Sequence, residues 1–235
     1  MSVQQHISEI SGDRRVLPDR LALAPRMPAS HSGAIAGGRT YAACKRAIDI
    51  AVALCALLFL LPLLVLIAIA IKLDSAGPVI FRQTRHGLNG RPFLILKFRT
   101  MHVVEDGAQV VQAARNDRRV TRAGRFLRAA SLDELPQLWN VVRGEMSLVG
   151  PRPHAAVHDA LYGALIPNYV LRQRAKPGIT GWAQVNGYRG GTPTLDLMQR
   201  RIDLDAWYVE HASTALDISI MLRTPHELLR RRNAY

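Results

Sequence analysis

The chain has 235 residues, 49% of them hydrophobic, enough to bury one core of its own or one core beside a membrane element. Its 31 Lys and Arg against 18 Asp and Glu leave a net charge of +13, which narrows the partners to polyanions: nucleic acid, an anionic membrane surface or phosphorylated small molecules. Aromatics are only 6%, without zinc-finger spacing, an RNP-type aromatic strand or a basic heptad region, so nucleic acid is not the expected partner.

Residues 1 to about 40 are rich in Ser, Arg, Pro, Ala and Gly and lack periodicity, which predicts a mobile tail; no apolar segment follows the start directly, so it does not read as a secretory signal. From Ile48 to Ile71 the sequence is apolar except for Asp49, about 24 residues, long enough to cross a bilayer. Cys44 and Cys55 lie beside and within this run, eleven apart, which argues against a disulfide framework or a metal site. Pro62 near its centre must break a backbone hydrogen bond. Basic residues flank both ends, Arg39, Lys45 and Arg46 before it and Lys72, Arg82 and Arg85 after it. The positive-inside preference keeps both flanks on the cytoplasmic side, which favours a run that enters one leaflet, is bent or interrupted at Pro62 and returns, with a spanning helix as the alternative.

After a turn at Asp74 to Pro78, two alternating stretches around Leu88-Asn89-Gly90 predict a β-hairpin with Asn-Gly in its turn. Lys97 and Arg99, two apart, are expected on one face, as a solvated basic edge. His102 to Arg119 reads as a surface loop with a helical turn. Arg118, Arg119, Arg122, Arg125 and Arg128 then form a basic approach to an adjacent acidic pair, Asp133 and Glu134. Arg125 and Arg128 fall one turn apart on a helix, and guanidinium forks match phosphate oxygens.

In SLDELPQLWNVVRGEMSLVGPRP, Ser131 to Pro153, Ser131 and Glu134 have the spacing of a capping box, which would put Asp133 in a first helical turn where it stays ionised. Pro136 predicts a bend or a later helix restart. Two carboxylates at such a break, with Arg125 and Arg128 upstream and Arg152 held between two prolines downstream, describe a site for an anionic substrate bound through a divalent cation. Residues 154 to 175 read as amphipathic helix broken at Pro167. Lys176 to Gly190 reads as a Gly-rich loop whose Trp182, Gln184, Asn186, Tyr188 and Arg189 could meet a base or a sugar. Leu195 to Leu229 reads as further amphipathic helix, with Trp207 and Tyr208 suited to lipid headgroups and Arg223 and Arg230 to Arg232 to anionic lipid.

The stretch Ser131 to Pro153, with KFRTM at Lys97 to Met101 and KPGITGWAQVNGYRG from Lys176 to Gly190, resembles the bacterial sugar transferase family, from about Cys44 to the C-terminus. These are monotopic phosphoglycosyl transferases, which move a phosphosugar from a nucleoside diphosphate sugar to a polyprenyl phosphate. Lys45, Arg46 and Asp49 match the family's K-R-x-x-D motif, while Leu61 replaces the Ser that often precedes the membrane-helix proline. The NGYRG variant is similar to the hexose-phosphate branch, with Gly191 where Glu is frequent.

The resemblance implies a mainly helical α+β fold. Its parts would be a flexible tail (1–40), a re-entrant helix-break-helix (41–73) and a cytoplasmic catalytic domain (74–235) with a small β-hairpin and amphipathic interfacial helices. It implies Asp133 as nucleophile, Glu134 as Mg²⁺ ligand, and Lys97, Arg128, Arg152, Gln184, Asn186 and Arg189 as substrate contacts. The expected partners are a UDP-hexose, with glucose or galactose foremost, undecaprenyl phosphate and an anionic lipid surface, at the cytoplasmic face of a bacterial inner membrane. Oligomeric state is left open. The competing expectations are a membrane-bound, Mg²⁺-dependent nucleotide-sugar pyrophosphohydrolase and a non-catalytic scaffold of polysaccharide assembly.

Overall fold

The computed structural model describes residues 38–102, 117–192 and 194–230. Most of the expected tail, residues 103–116 of the expected surface loop, and Arg231 and Arg232 lie outside the described residues. Gly38 to Thr40 form the first turn of a helix rather than the end of the tail.

That helix, α1 (Gly38–Asp74), runs for 37 residues with Pro62 inside it. One continuous helix runs through Pro62, so the expected interruption into two helices is not seen. A stripe recurring every three or four residues, through Asp49, Ala53, Leu57, Leu64, Ile67 and Ile71, packs against the rest of the protein. The other side exposes Leu54, Leu58, Phe59, Leu61, Leu66 and Leu73, and α1 is long and apolar enough to cross a membrane. Cys44 and Cys55 are both free and exposed.

Both ends of α1 are fastened to one body. Near its start the Tyr41 hydroxyl and Lys45 Nζ donate to Asp217 Oδ2 at 2.9 and 2.6 Å, and Arg46 donates to the Val141 and Val142 carbonyls at 2.6 and 2.7 Å. Asp49 Oδ1 accepts the Leu148 N–H at 3.0 Å. Near its end Ile67 and Ile71 pack on Phe98 and Leu127, and Asp74 Oδ2 accepts the Ala123 N–H at 2.9 Å. Lys45, Arg46 and Asp49 therefore fasten the start of α1 to the rest of the protein.

The hairpin forms as expected. β1 (Ile80–His86) pairs antiparallel with β2 (Pro92–Phe98), from Ile80 opposite Phe98 to His86 opposite Pro92. The turn needs left-handed backbone at Asn89 (φ 55°) and Gly90 (φ 71°), which these two residue types tolerate best. α2 (Arg122–Ala130) is capped by Thr121, whose hydroxyl accepts the Gly124 N–H at 2.9 Å. α3 (Gln137–Arg143) packs on β2 through Asn140, fully buried, which accepts the Leu96 N–H at 3.0 Å and donates to the Leu94 carbonyl at 2.8 Å.

A second, unexpected pair follows: β3 (Ser147–Val149) runs parallel to β4 (Gly178–Thr180). A Cβ at Gly150 would lie 2.2 Å from the Lys176 carbonyl oxygen, so this approach requires glycine. α4 (Ala156–Leu165) precedes a 3₁₀ segment at Tyr169–Arg174, and the expected Gly-rich loop contains β4 and the short α5 (Trp182–Val185). α6 (Leu195–His211) and α7 (Thr214–Arg230) close the fold. Trp207 is exposed and stacks between Trp182 and His211. Tyr208, expected at the headgroups, is instead buried, and its hydroxyl donates to Asp217 Oδ1 at 2.7 Å. Fold class is thus mainly helical with a small antiparallel hairpin, and α1 as its apolar element.

Candidate active site

Asp133 and Glu134 sit where α2 ends and α3 has not begun. The Ser131 N–H is bonded to the Leu127 and Arg128 carbonyls, and its backbone turns left-handed (φ 55°, ψ 24°), closing α2. Leu132–Glu134 then make one 3₁₀ turn, and the α-helix restarts at Gln137, directly after Pro136. The restart agrees with the reading of Pro136. The capping box does not form: Ser131 makes no side-chain cap, and its hydroxyl accepts a bond from Arg189.

Glu134 faces other elements. Its Oε1 accepts Lys97 Nζ at 2.8 Å and Arg152 Nη2 at 2.7 Å, and its Oε2 accepts Arg152 Nη1 at 3.2 Å. β2 supplies Lys97, and the Gly150–Pro153 turn after β3 supplies Arg152 as a fork on the carboxylate. Burial works to raise the Glu134 carboxyl, but Arg152 and Lys97 together overcome it and hold Glu134 well below the usual range.

Asp133 is loaded the other way. It is buried, and no hydrogen bond or ion pair engages it among the described residues. Burial, ahead of the attraction of Lys97, pushes its carboxyl up, and the neighbouring Glu134 charge adds to the rise, while Arg128 and Arg152 oppose it. The free helix N-terminus expected to keep it ionised is absent, and the cationic side chains take that part. The arrangement is an unengaged, desolvated carboxylate beside a clamped one, inside a ring of Lys97, Arg128, Arg152 and Arg189. Arg189 is held below its usual value by burial, against the opposing pull of Glu134 and with Arg152 also lowering it.

Other expected contacts lie elsewhere. Gln184 is buried and donates to the Ile179 carbonyl at 3.2 Å, and Asn186 is exposed, donating to the Trp182 carbonyl at 2.8 Å. Arg223 sits over the Trp182 ring at 5.1 Å. Arg99 is buried and donates to the Ser75 and Ala76 carbonyls, bracing the exit of α1. Arg119 pairs with Asp117 at 2.7 Å, while Arg122 and Arg125 are exposed.

A polar layer beneath the Gly150–Pro153 turn went unread in the sequence: Arg85, His154, Asp159, Tyr169, Arg172, Arg201 and Asp205. Burial, then the nearby Arg172, holds His154 well below its ordinary value, so it is neutral with Nδ1 as acceptor. No group of three or more His, Cys, Asp or Glu side chains converges among the described residues. A Mg²⁺ ion needs less, since it takes one or two carboxylates and fills the rest with phosphate and water. Glu134 Oε2 accepts a single bond and keeps a lone pair, so the Asp133–Glu134 set fits such an ion.

Residues 40–231 match the model of the bacterial sugar transferase family. The chain belongs to that family. As a bacterial sugar transferase it is an enzyme of the phosphoglycosyl transferase class, and Lys97, Arg128, Asp133, Glu134, Arg152 and Arg189 all lie within the matched span. It is 58% identical, over 191 residues, to a Caulobacter vibrioides protein named UDP-glucose:undecaprenyl-phosphate glucose-1-phosphate transferase, covering 81% of this chain and 72% of the relative. An Escherichia coli K12 protein of the same name is 54% identical over 180 residues, 77% of this chain and 39% of the relative. A UDP-N-acetylgalactosamine-undecaprenyl-phosphate N-acetylgalactosaminephosphotransferase of Aeromonas hydrophila is 38% identical over 226 residues, 95% of this chain and 52% of the relative. The sugar transferase thus spans well under half of the Escherichia coli relative and about half of the Aeromonas one.

Proposed function

We propose that this sugar transferase moves a hexose-1-phosphate, glucose-1-phosphate first among candidates, from a UDP-sugar to undecaprenyl phosphate, initiating an extracellular polysaccharide. The observation that carries the reading is Asp133: a desolvated carboxylate with no hydrogen-bonding partner among the described residues, beside a Glu134 already neutralised by Lys97 and Arg152. The relatives' names supply the substrate classes, and glucose is named in the more similar ones.

In the first half-reaction an Asp133 oxygen attacks the β-phosphorus of the UDP-sugar. A bond forms between Asp133 and phosphorus, the bond from phosphorus to the bridging oxygen breaks, and UMP leaves with the electron pair. In the second, a phosphate oxygen of undecaprenyl phosphate attacks the same phosphorus and Asp133 is released. Lys97, Arg128, Arg152 and Arg189 meet the phosphate oxygens and offset charge building on the bridge. Burial makes the Asp133 carboxylate poorly solvated, which favours attack. Mg²⁺, held by Glu134 with Asp133 near, would supply further charge neutralisation on the pyrophosphate.

Both fastened ends of α1 favour a re-entrant course, because a straight crossing would separate Tyr41 from Asp74 by about 50 Å on opposite faces of the bilayer. The apolar outer side of α1, with Phe126, Trp207 and Leu222 exposed on other helices, then meets lipid, and the catalytic residues lie on the cytoplasmic side.

The test uses membranes containing the full chain, a panel of UDP-sugars and undecaprenyl phosphate, with UMP release and intact-protein mass spectrometry as readouts. UDP-glucose should give UMP and a hexose-phosphate adduct on Asp133. UMP release by Asp133→Asn at the parent rate, or an adduct elsewhere, overturns the mechanism. Full turnover without a prenyl phosphate would instead identify a pyrophosphohydrolase.

A further inference from the structure

The turn that aims Arg152 at Glu134 is held from below by charge that the proposed transfer does not use. Arg172 is buried in the Tyr169–Arg174 segment. Its Nη2 donates to the main-chain carbonyl of Arg152 and lies 3.2 Å from Asp205 Oδ2. Its Nη1 donates to His154 Nδ1 at 2.7 Å and to the Tyr169 hydroxyl at 3.2 Å. Tyr169 in turn donates to Asp159 Oδ1 at 2.5 Å, and His86 Nδ1 donates to Asp159 Oδ2 at 2.8 Å. The next carbonyl, that of Pro153, accepts from Arg85 Nη1 at 3.3 Å.

Two consecutive carbonyls of one turn are thus gripped by two arginines while the side chain of the first residue reaches the opposite way, to Glu134. Burying a guanidinium is costly unless it is paired, and here Asp205 offsets the charge at 3.2 Å and the Tyr169–Asp159 link meets Nη1, while Nε has no hydrogen-bond partner among the described residues. Simple packing does not require that charge. Precise placement does, because a shift of about 1 Å in a positioning group can lower a rate about a hundredfold.

We propose that Arg172, braced by Asp205, is a positioning residue for the transfer: it fixes the backbone of Arg152 so that the Arg152 fork stays on Glu134 and on the substrate phosphate. The inference rests on the reading of Arg152 as a phosphate contact. Arg172→Lys keeps a positive charge but loses the planar fork, so it cannot hold the Arg152 carbonyl and Asp205 together with His154.

The experiment is a double-mutant cycle on UMP release by the full chain in membranes. Arg172→Lys should lower kcat by about 10- to 100-fold, and Arg152→Ala by at least as much. In the Arg152→Ala background, adding Arg172→Lys should cost less than about threefold, because the group it positions is gone. Losses that multiply overturn the inference, since a merely structural role weakens both backgrounds alike. Asp205→Asn, which keeps its shape, runs through the same cycle should Arg172→Lys fail to fold.

A second arm is independent of turnover. Hydrogen exchange of a peptide spanning 147–155 should quicken in Arg172→Lys or Asp205→Asn, at the Gly150 amide among others, which is bonded to the Thr180 carbonyl at 2.9 Å. The hairpin peptide 80–98 should keep its protection. Unchanged exchange at 147–155 in both variants overturns the inference. A parent that releases no UMP from any UDP-sugar refutes the function proposed above, while the exchange result still decides whether Arg172 holds the turn.

Discussion

Exchanging each carboxylate of the pair for its amide should move stability in opposite directions. Glu134 accepts three charge-assisted bonds, from Lys97 and twice from Arg152, whose side chains are 20% and 26% exposed. Such bonds are worth about 1.5–3 kcal/mol each, but Glu134→Gln keeps one acceptor oxygen and water recovers part of both cations, so the net loss is about 2–3 kcal/mol. In a domain of this size, where 1 kcal/mol moves Tm by about 2–4 °C, the melt should fall by about 4–12 °C. Asp133 has no hydrogen bond or ion pair among the described residues to lose, and burial already penalises its charge. Asp133→Asn should therefore hold or raise Tm while abolishing UMP release. The pH dependence has opposite signs too. Glu134 is depressed, so its contribution is full above the ordinary glutamate value of about 4.3 and is lost as pH falls through the folded value. Asp133 is raised, so its contribution favours the fold at low pH and is lost as pH rises through the folded value. Thermal unfolding in mild detergent measures both. A Glu134→Gln melt within about 1 °C of the parent, or an Asp133→Asn melt as low as that of Glu134→Gln, would refute the assignment of one clamped and one unengaged carboxylate.

Three further outcomes follow from local geometry. Asp74→Ala removes the acceptor for the Ala123 N–H at the start of α2 and should cost about 1 kcal/mol in denaturant midpoint; the Ala123 bond is the chief cause holding the Asp74 carboxyl below its usual value, so the loss should fade as pH drops through that range. Gly124→Ala puts a Cβ 2.2 Å from the Thr100 carbonyl oxygen, which lifts α2 off the exit of the hairpin, and should destabilise by more than about 3 kcal/mol in the same titration. Asn140→Ala strands the Leu96 N–H and Leu94 carbonyl and frees Glu145, a loss of about 3 kcal/mol that should appear as faster hydrogen exchange in β2.

The hairpin was legible because its signal is local: Asn89 and Gly90 are residues that accept a left-handed turn, and the flanking alternation is self-contained. Helices α6 and α7 were legible for the same reason. The acidic pair was found, but its local role was misjudged. An S-x-x-E spacing records only what Glu134 could do within four residues, and its partners lie 37 and 18 residues away on other elements. β3 and β4 went unread because three residues each, buried at nearly every position, carry no alternation.

Charge was the most misleading signal. A net +13 suggests a surface, yet Arg99, Arg172 and Arg201 are buried and Arg85 nearly so. Burial, then repulsion from Arg152, lowers Arg85 and Arg201 to about 10 each, which leaves both still charged at neutral pH. Around the Gly150–Pro153 turn, Arg85, Arg172 and Arg201 outnumber Asp159 and Asp205, so the layer under the carboxylate pair carries excess positive charge. That excess leaves the turn that bears Arg152 electropositive, while the two adjacent carboxylates differ through Arg152 and Lys97 rather than through this layer. Glu134 reaches Lys97 and Arg152 directly and ionises readily. Asp133 feels them without direct contact and against its own burial, so it remains the more basic carboxylate, as the proposed nucleophile requires.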